Sequence, residues 1–291
     1  MVTPSVIRPC APAELPALVA LLDQEFIFSK DRRISLARRL PGVVHADNCA
    51  NILLACHGET IAACVVIKRF DWIAPERSWR AAMIGLVWTN AAERGLGLAT
   101  QLLRAAQARL HADGAAFAVL FTAQPAFYRR LGWISADCGL YGSYAGAGGD
   151  AARCTPVDAN AIEAMRSRQS GAYLRRDRAS YDALPLPSER LEMRSSIGSA
   201  AYSIYGVQAD RAYVYELGGE ASGRAALWQD ICAAAATVHI NERRGSASAQ
   251  WLSTIPGIIW RDQALAMWLP LAEPDCARHF GDWYVPYLDR I

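Results

Sequence analysis

The sequence predicts an α/β protein with a mixed α+β sheet, laid out as two unequal copies of one plan, and three observations carry that expectation. Through the first half, apolar runs alternate with amphipathic stretches in the order strand, helices, three strands, helix, strand, helix. A glycine-rich segment, GLYGSYAGAGGDAA (139–152), follows and reads as a boundary. Beyond it a hairpin, a helix and a strand repeat the element order, weakly in sequence. With 291 residues the chain has room for two domains, 1–144 and 153–291.

VIRPC (6–10) reads as a short strand, and APAELPALVALLDQEF (11–26) as a helix with Leu15, Leu18, Val19 and Leu22 on its apolar positions. SLARRL (35–40) is a second helical stretch that ends at Pro41. NILLACHGETIAACVVIKRF (51–70) is a hairpin with Gly58 in its turn, and WRAAMIGLVWTN (79–90) is a further strand. GLGLATQLLRAAQARLHADG (95–114) has Leu98, Leu102, Leu103, Ala106 and Leu110 at helical spacing and stops at Gly114, a left-handed C-cap. AAFAVLFT (115–122) is almost continuously apolar, as a strand covered on both faces would be. QPAFYRRLGW (124–133) is a short helix, with Pro125 in its first turn and Gly132 at its end. In the second half, 155–177 reads as a helix, RASYDALPLP (178–187) as an irregular turn, and AAYSIYGVQADRAYVYELGG (200–219) as a hairpin. SGRAALWQDICAAAATVHI (222–240) reads as helix then strand, and LAMWLPL (265–271) as a late strand.

Hydrophobic residues make up 53% and charged ones 20%, an ordinary globular composition. No run approaches the roughly 18 apolar residues of a membrane span. The N-terminal stretch lacks the basic n-region of a signal peptide, and Pro12 and Pro16 interrupt its apolar run. The eight cysteines form no C-x-x-C pair, and several lie inside apolar runs, as buried thiols of a reducing, cytoplasmic compartment do. The five histidines show no metal-ligand spacing, so no metal is expected. A net charge of +2, without a basic half, argues against nucleic acid as a partner. The arginine pairs at 32–33, 38–39, 129–130, 175–176 and 243–244 read as solvated helix faces or capping cations.

WTNAAERGLGLATQLL (88–103) places two glycines at the mouth of a helix. A helix N-terminus has unpaired N–H groups and the positive end of the macrodipole, and glycines let an anion approach the backbone. A P-loop requires a lysine, and Lys30 and Lys68, the two lysines of the chain, are far away in sequence. A dinucleotide fingerprint requires a third glycine where Thr100 stands, directly after the first strand of a βαβ unit. Taken alone, the stretch is equally readable as a glycine turn without a ligand.

R-G-L-G-L-A (94–99) resembles the Q/R-x-x-G-x-G/A pyrophosphate loop of the GNAT N-acetyltransferases, with Arg94, Gly97 and Ala99 on the defining positions. FYRRLGW (127–133) resembles the downstream helix of that family, with its catalytic tyrosine. On those motifs residues 1–140 are identified as a GNAT domain. The resemblance implies acetyl-CoA as donor and direct attack on its thioester by a primary amine of a small molecule or peptide. It implies that Val87, Trp88 and Thr89 offer backbone groups to the pantetheine arm and thioester carbonyl. It further implies that Arg94, Gly95, Leu96, Gly97, Leu98, Ala99 and Thr100 cradle the pyrophosphate, and that Ala123 and Gln124 flank the cofactor. Polarising the thioester needs a fixed N–H aimed at the developing oxyanion. Expelling the thiolate needs a proton, and Tyr128 is the phenol at hand, unless it is a core aromatic.

An acceptor amine with pKa about 10.4 must lose a proton, at a cost of roughly 4–5 kcal/mol at neutral pH. Glu25, with Phe26 beside it on the acceptor side, is one candidate to receive it. The terminal carboxylate of Ile291 is another, because the Eis-like acetyltransferases use a C-terminal carboxylate near the active site. His45, His57 and Asp47 are further candidates, and each is also readable as a solvated surface group. The whole chain is similar to tandem-GNAT proteins, the Eis-like group in particular and mycothiol synthase more distantly. It lacks room for the sterol-carrier-like third domain of Eis, which leaves the substrate range and the terminal carboxylate in question. The second half has no phosphate loop, since the glycines of GGEASGRAALWQD (218–230) miss the required spacing. There Glu216 and Glu220 would also oppose a pyrophosphate. It is therefore expected to be a degenerate scaffold half that shapes the acceptor pocket. Tyr202, Tyr205, Tyr213, Tyr215, Trp228 and Trp251 either line that pocket or fill a core. A CoA- or acyl-CoA-binding regulatory protein without turnover is the alternative of a different class, and a dinucleotide-binding oxidoreductase is a third. The sequence names no amine and leaves a homo-oligomer open.

Overall fold

The computed structural model of the protein describes residues 5–146, 148–150, 154–168, 171–184 and 190–291. The first half contains strands β1 (Val6–Pro9), β2 (Ile52–His57), β3 (Thr60–Ile73), β4 (Ser78–Thr89), β5 (Phe117–Phe121), β6 (Ile134–Ser135) and β7 (Gly139–Ala145). Its helices are α1 (Leu15–Phe26), α2 (Leu36–Arg39), α3 (Leu98–Ala112) and α4 (Pro125–Arg129). Further on come β8 (Cys154–Pro156), α5 (Ala159–Arg166), β9 (Tyr173–Leu174), α6 (Arg178–Asp182), β10 (Arg190–Ser196), β11 (Ala201–Gln208) and β12 (Arg211–Gly219). The chain closes with α7 (Ala221–Ala233), β13 (Thr237–Arg243), α8 (Ala247–Leu252), β14 (Ile259–Asp262) and β15 (Ala266–Pro270).

Two mixed sheets result. The first has the order β1-β2-β3-β4-β5-β15-β6, with β9 paired to β3, and the second runs β14-β7-β13-β12-β11-β10-β8. The β4–β5 and β12–β13 pairs are parallel, and the other pairs are antiparallel. Strands β2 to β5 read as nearly unbroken apolar runs because both faces of the first sheet are covered. On one face α3 sets Leu98, Leu102, Leu103, Ala106 and Leu110 against the strands. On the other, α1 and α2 bring Leu18, Leu22 and Leu36, while an aromatic cluster around Trp72, Phe117, Trp268 and Trp283 fills the far end.

Three expectations change. The segment 139–152 is not all boundary, since 139–145 form β7, where Gly142 lets Trp260 of β14 lie close over the strand. Ala147, Ala151 and Ala152 of that segment lie outside the described residues. The helix expected over 155–177 is only α5, begun by the Asp158 side chain accepting from Ala161 N–H at 2.9 Å. Strands β8 and β9 flank it, and Gln169 and Ser170 are outside the described residues. The turn expected at 178–187 opens with α6, capped by Asp177, and Pro185, Leu186 and Pro187 are likewise outside.

Strand β15 is where expected along the chain, but it belongs to the first sheet, between β5 and β6. Four of its residues, Ala266 to Leu269, are buried, and a strand with two buried faces needs a central place. The sheets thus exchange strands, β7 going one way and β9 and β15 the other. Asp137 fastens the crossing point, its carboxylate accepting from Gly139 N–H (2.7 Å) on the outgoing chain and from Leu265 and Ala266 N–H (2.9 and 3.0 Å) on the returning one. All eight cysteines are free thiols, and all but half-buried Cys154 are buried.

Candidate active site

Strands β4 and β5 pair only over Ala81–Met83 and Phe117–Val119, and beyond that point they separate. The cause is a bulge. The β3–β4 register shifts between Cys64 and Val66, and Leu86 takes up the extra residue at φ 47°, in the left-handed region. Such a conformation costs a non-glycine residue about 1–2 kcal/mol. The bulge turns β4 away from β5 and leaves backbone groups on its open edge. Side chains still alternate, with Val87 on the α3 side of the gap and Leu86 and Trp88 on the α1–α2 side.

On the α3 side, the loop after β4 leads into an uncapped helix. Gly97 is the N-cap of α3 at φ 80°, and no side chain bonds to the helix's free N–H groups. Gly95 has φ 84°, and nothing lies within 4 Å of where its Cβ would be. Leu98, Ala99 and Thr100 form the first turn of this exposed N-terminus, and Leu96 stands half-exposed before it. Arg94 folds back, its Nε donating to the Thr89 carbonyl (3.2 Å) and its guanidinium pairing with Glu25 (3.1 Å). Ala123 and Gln124 are exposed where the chain leaves β5, and Gln124 N–H is held by Thr122 Oγ1 at 2.9 Å.

Tyr128 lies on α4, packed against the same α3-side core as Val87. Its ring is edge-on to Phe127 (4.9 Å between centroids) and to Trp133 (6.3 Å). Its hydroxyl has no hydrogen-bond partner among the described residues, and burial pushes its pKa above the usual phenol value. It is therefore a protonated, uncommitted donor at neutral pH.

On the α1–α2 side lies a cavity of about 280 Å³ lined by Phe26, Leu36, Leu86, Phe121, Tyr287 and Ile291, with cationic side chains among them. Ile291, the last residue of the chain, reaches in from the second half. Its carboxyl carbon and oxygen lie 2.6 Å from where a Cβ on Gly85 would be, so only glycine admits it there. Its N–H points to Met83 Sδ at 3.3 Å. The preceding residues are fastened. Arg176 donates to both Asp289 carboxylate oxygens (2.9 and 2.7 Å), and Lys68 donates to the Asp289 carbonyl (2.8 Å). Arg290 lies over the Phe121 ring at 4.3 Å.

The structure thus packs Val87, Leu98 and Tyr128 into one core cluster on the α3 side of the gap, and Trp88 with Phe26 and Ile291 into another on the far side. Glu25 is spent on Arg94 and does not line the acceptor-side cavity. His45 caps a 3-10 turn through Asp47 N–H, and His57 faces Glu93 at 3.5 Å. The second-half aromatics are mostly core, although Tyr202 and Tyr215 also line a separate cavity of about 460 Å³ within the second half. Tyr205 and Trp228 fill one cluster, and Tyr202 and Tyr215 another. None of the six named residues lines the acceptor-side cavity; Tyr287, stacked on Tyr215 at 5.6 Å, does. Sequence reasoning missed Leu86, Tyr287, Arg290, Arg32 and Arg39 as lining. The arginine pairs were visible, but nothing local told a cavity wall from a solvated face.

The family model described as an acetyltransferase (GNAT) domain matches residues 6–136. No curated protein matches the sequence. Among solved structures, a GCN5-related N-acetyltransferase from Kribbella flavida is similar, with 18% identity, a TM-score of 0.70, and 94% of this chain and 73% of that one covered. A GCN5-related N-acetyltransferase from Anabaena variabilis has 16% identity and a TM-score of 0.72 over 91% of this chain and 72% of its own. Eis1 from Mycobacterium abscessus has 15% identity and a TM-score of 0.62, with 94% and 75% covered. At these identities the likeness is one of fold, and it extends over both sheets.

Proposed function

We propose that the chain, whose residues 6–136 match a GNAT acetyltransferase domain and whose two sheets share the fold of solved N-acetyltransferases, transfers the acetyl group of acetyl-CoA to a primary amine of a small molecule or peptide. The observation that carries this reading is the gap between β4 and β5, with the uncapped N-terminus of α3 on one side and a cavity lined by Leu86 and Phe121 on the other. The residues fit the cofactor, because Gly95 and Gly97 leave the space beside the free N–H groups empty of side chains.

Bound acetyl-CoA would supply the activated acyl group. For its part the chain holds the pyrophosphate with the N–H groups of 95–100, and Arg94 releases Glu25 to join them. The open edge of β4 at Val87–Thr89 orients the acyl arm, and Ala123 and Gln124 flank it. Tyr128 donates the proton that the departing sulfur requires. The Ile291 carboxyl, seated on Gly85 at the mouth of the acceptor cavity, receives the proton of the amine. Residues 1–144 would carry catalysis, and 153–291 would be a scaffold that delivers Tyr287, Arg290 and Ile291 to the site. Eight free thiols fit a reducing cytoplasm. No helix among the described residues is long and apolar enough to cross a membrane. Thiol release measured with acetyl-CoA and a panel of amines tests the reading. Tight acetyl-CoA binding without release for any amine would instead leave a CoA-binding regulator.

A further inference from the structure

Among the described residues, the wall of the acceptor-side cavity carries four cations, Lys30, Arg32, Arg39 and Arg290, and no carboxylate side chain. The acids on the elements packed around it are committed or outside it. Asp23 accepts from Leu36 N–H at 2.7 Å, Glu25 holds Arg94, Asp289 holds Arg176, and Asp31 does not line the cavity. Arg39 is half-buried and lines the same cavity as Arg32, and neither guanidinium has an acid partner among the described residues; burial together with the charge of Arg32 lowers the Arg39 pKa. Arg290 is oriented by the Val285 carbonyl (3.0 Å) and Gln263 Oε1 (2.8 Å), which leaves its buried Nη2 without a partner. The remaining wall is apolar, with Phe26, Leu86 and Phe121. Among the described residues the Ile291 carboxyl lies at the Gly85 end. Unpaired, partly desolvated guanidinium groups of this kind are sites for a planar or phosphate anion.

We propose that the acceptor is a primary amine that also bears an anion, a carboxylate or a phosphate-type group, on an apolar or aromatic body, with the anion on Arg32 and Arg39 and the amine turned towards Ile291. The inference rests on the transferase reading for its chemistry. An N–C bond forms as the thioester C–S bond breaks, CoA leaves as its thiol, and one amine proton is released. A polycation such as a polyamine would meet four like charges in this cavity, and like-charge juxtaposition of that kind rejects a partner.

The test compares thiol release by the full chain with phenylalanine, its aminophosphonate analogue, phenylalanine amide and spermidine. The two anionic acceptors should exceed the amide and the polyamine by about tenfold or more in kcat/KM. The phosphonate arm tells a phosphate site from a carboxylate site. In Arg39→Gln and in exposed Arg32→Gln, that ratio should shrink towards unity while calorimetry still detects acetyl-CoA binding. Calorimetry with the reaction products is independent of turnover. N-acetylphenylalanine should bind the wild-type chain about tenfold more tightly than N-acetylphenylalanine amide. Equal binding of acid and amide, or an amide or polyamine that turns over as well as the acids, overturns the inference and leaves the transferase reading standing. Tight binding of the acid with no release from any amine overturns the transferase reading and leaves the anion site standing.

Discussion

The two sheets contain the same device in two states. In each, a bulged strand pairs in parallel with its neighbour only at the start and then leaves it, and a helix connects the two. In the first sheet the helix N-terminus is open, since Gly97 caps α3 and space surrounds Gly95. In the second, Gly219 and Gly223 flank the start of α7, but the turn before β11 takes the room beside both glycines, and the cavity of about 460 Å³ that remains in this cleft is lined by Glu216, Glu220 and Glu242. A Cβ on Gly219 would collide with the Ala200 carbonyl, and one on Gly223 would collide with Ser199. Glu220 N–H is taken by the Ala200 carbonyl at 2.9 Å, and Arg224 reaches back to the carbonyls of Gly219 and Ala247. Behind them Glu216 is paired with Arg166 and Arg176, where the first gap has open backbone. Helix α8, in the place of α4, carries Trp251 and no phenol. A glycine before a helix is thus ambiguous: its use depends on whether another part of the chain occupies the room it leaves.

The sharpest way to break this contrast is at Tyr128. Because the hydroxyl has no partner, Tyr128→Phe should cost no more than about 0.5 kcal/mol of stability. The loss of a general acid should lower kcat by about 10²–10⁴, with acetyl-CoA affinity retained. An unchanged kcat with a good acceptor would put the chemistry elsewhere. A melting temperature many degrees lower would make Tyr128 a core residue instead.

Matched glycine substitutions should separate the two helix starts. Gly219→Ala meets backbone at positive φ and should lose about 2–4 kcal/mol of stability in denaturant titration, leaving acetyl-CoA affinity within about twofold. Gly97→Val meets open space, so its stability cost is limited to the left-handed conformation, about 1–2 kcal/mol. Its branched side chain occupies the anion's place, and calorimetry should show acetyl-CoA affinity reduced by about tenfold or more. If affinity follows Gly219 instead of Gly97, the cofactor's helix mouth has been assigned to the wrong half. The same contrast sets the stoichiometry at one acetyl-CoA per chain, and a titration saturating at two would show that the acid-lined second cleft takes the cofactor as well.

The smallest effect concerns Glu242, on β13 beside the second cleft. Burial raises its pKa from about 4.5 to about 7. Below pH 4.5 both the folded and unfolded forms are protonated. As pH rises from 4.5 to 7 the unfolded form ionises first, so this group lowers stability across that window and holds it lower above pH 7. Glu242→Gln has no charge to bury. Its melting temperature relative to wild type should therefore climb between pH 4.5 and 7 by a few degrees and stay level beyond. A difference independent of pH would place the carboxyl in water.

How far these features were legible depends on the distance over which each is fixed. The helix α3, its apolar face and Gly114 at its end follow from spacing within a few turns. β15 was legible as an apolar strand, but its sheet was not, because its partners Phe117–Phe121 lie about 150 residues earlier and apolar content does not choose between two buried positions. The 155–177 helix failed for the opposite reason. Its local pattern is weak, and pairing of Tyr173–Leu174 with β3 claims part of it for a sheet.

By itself the sequence determined the local chemistry: the glycines that can hold positive φ, the phenol on a short proline-started helix, and the order of strands and helices. Each depends on residues within one or two turns of one another, where backbone sterics and side-chain periodicity act directly. Only the tertiary structure decided what those parts face. It placed the bulge at Leu86, set a turn against the glycines of one helix mouth and left those of the other clear, and turned surface-looking arginines into the wall of a cavity. It also brought Ile291 onto Gly85 and Met83, 208 residues from that methionine. Such contacts arise from packing two sheets that exchange strands, and in that packing the room left by a missing Cβ goes to whichever distant segment reaches it.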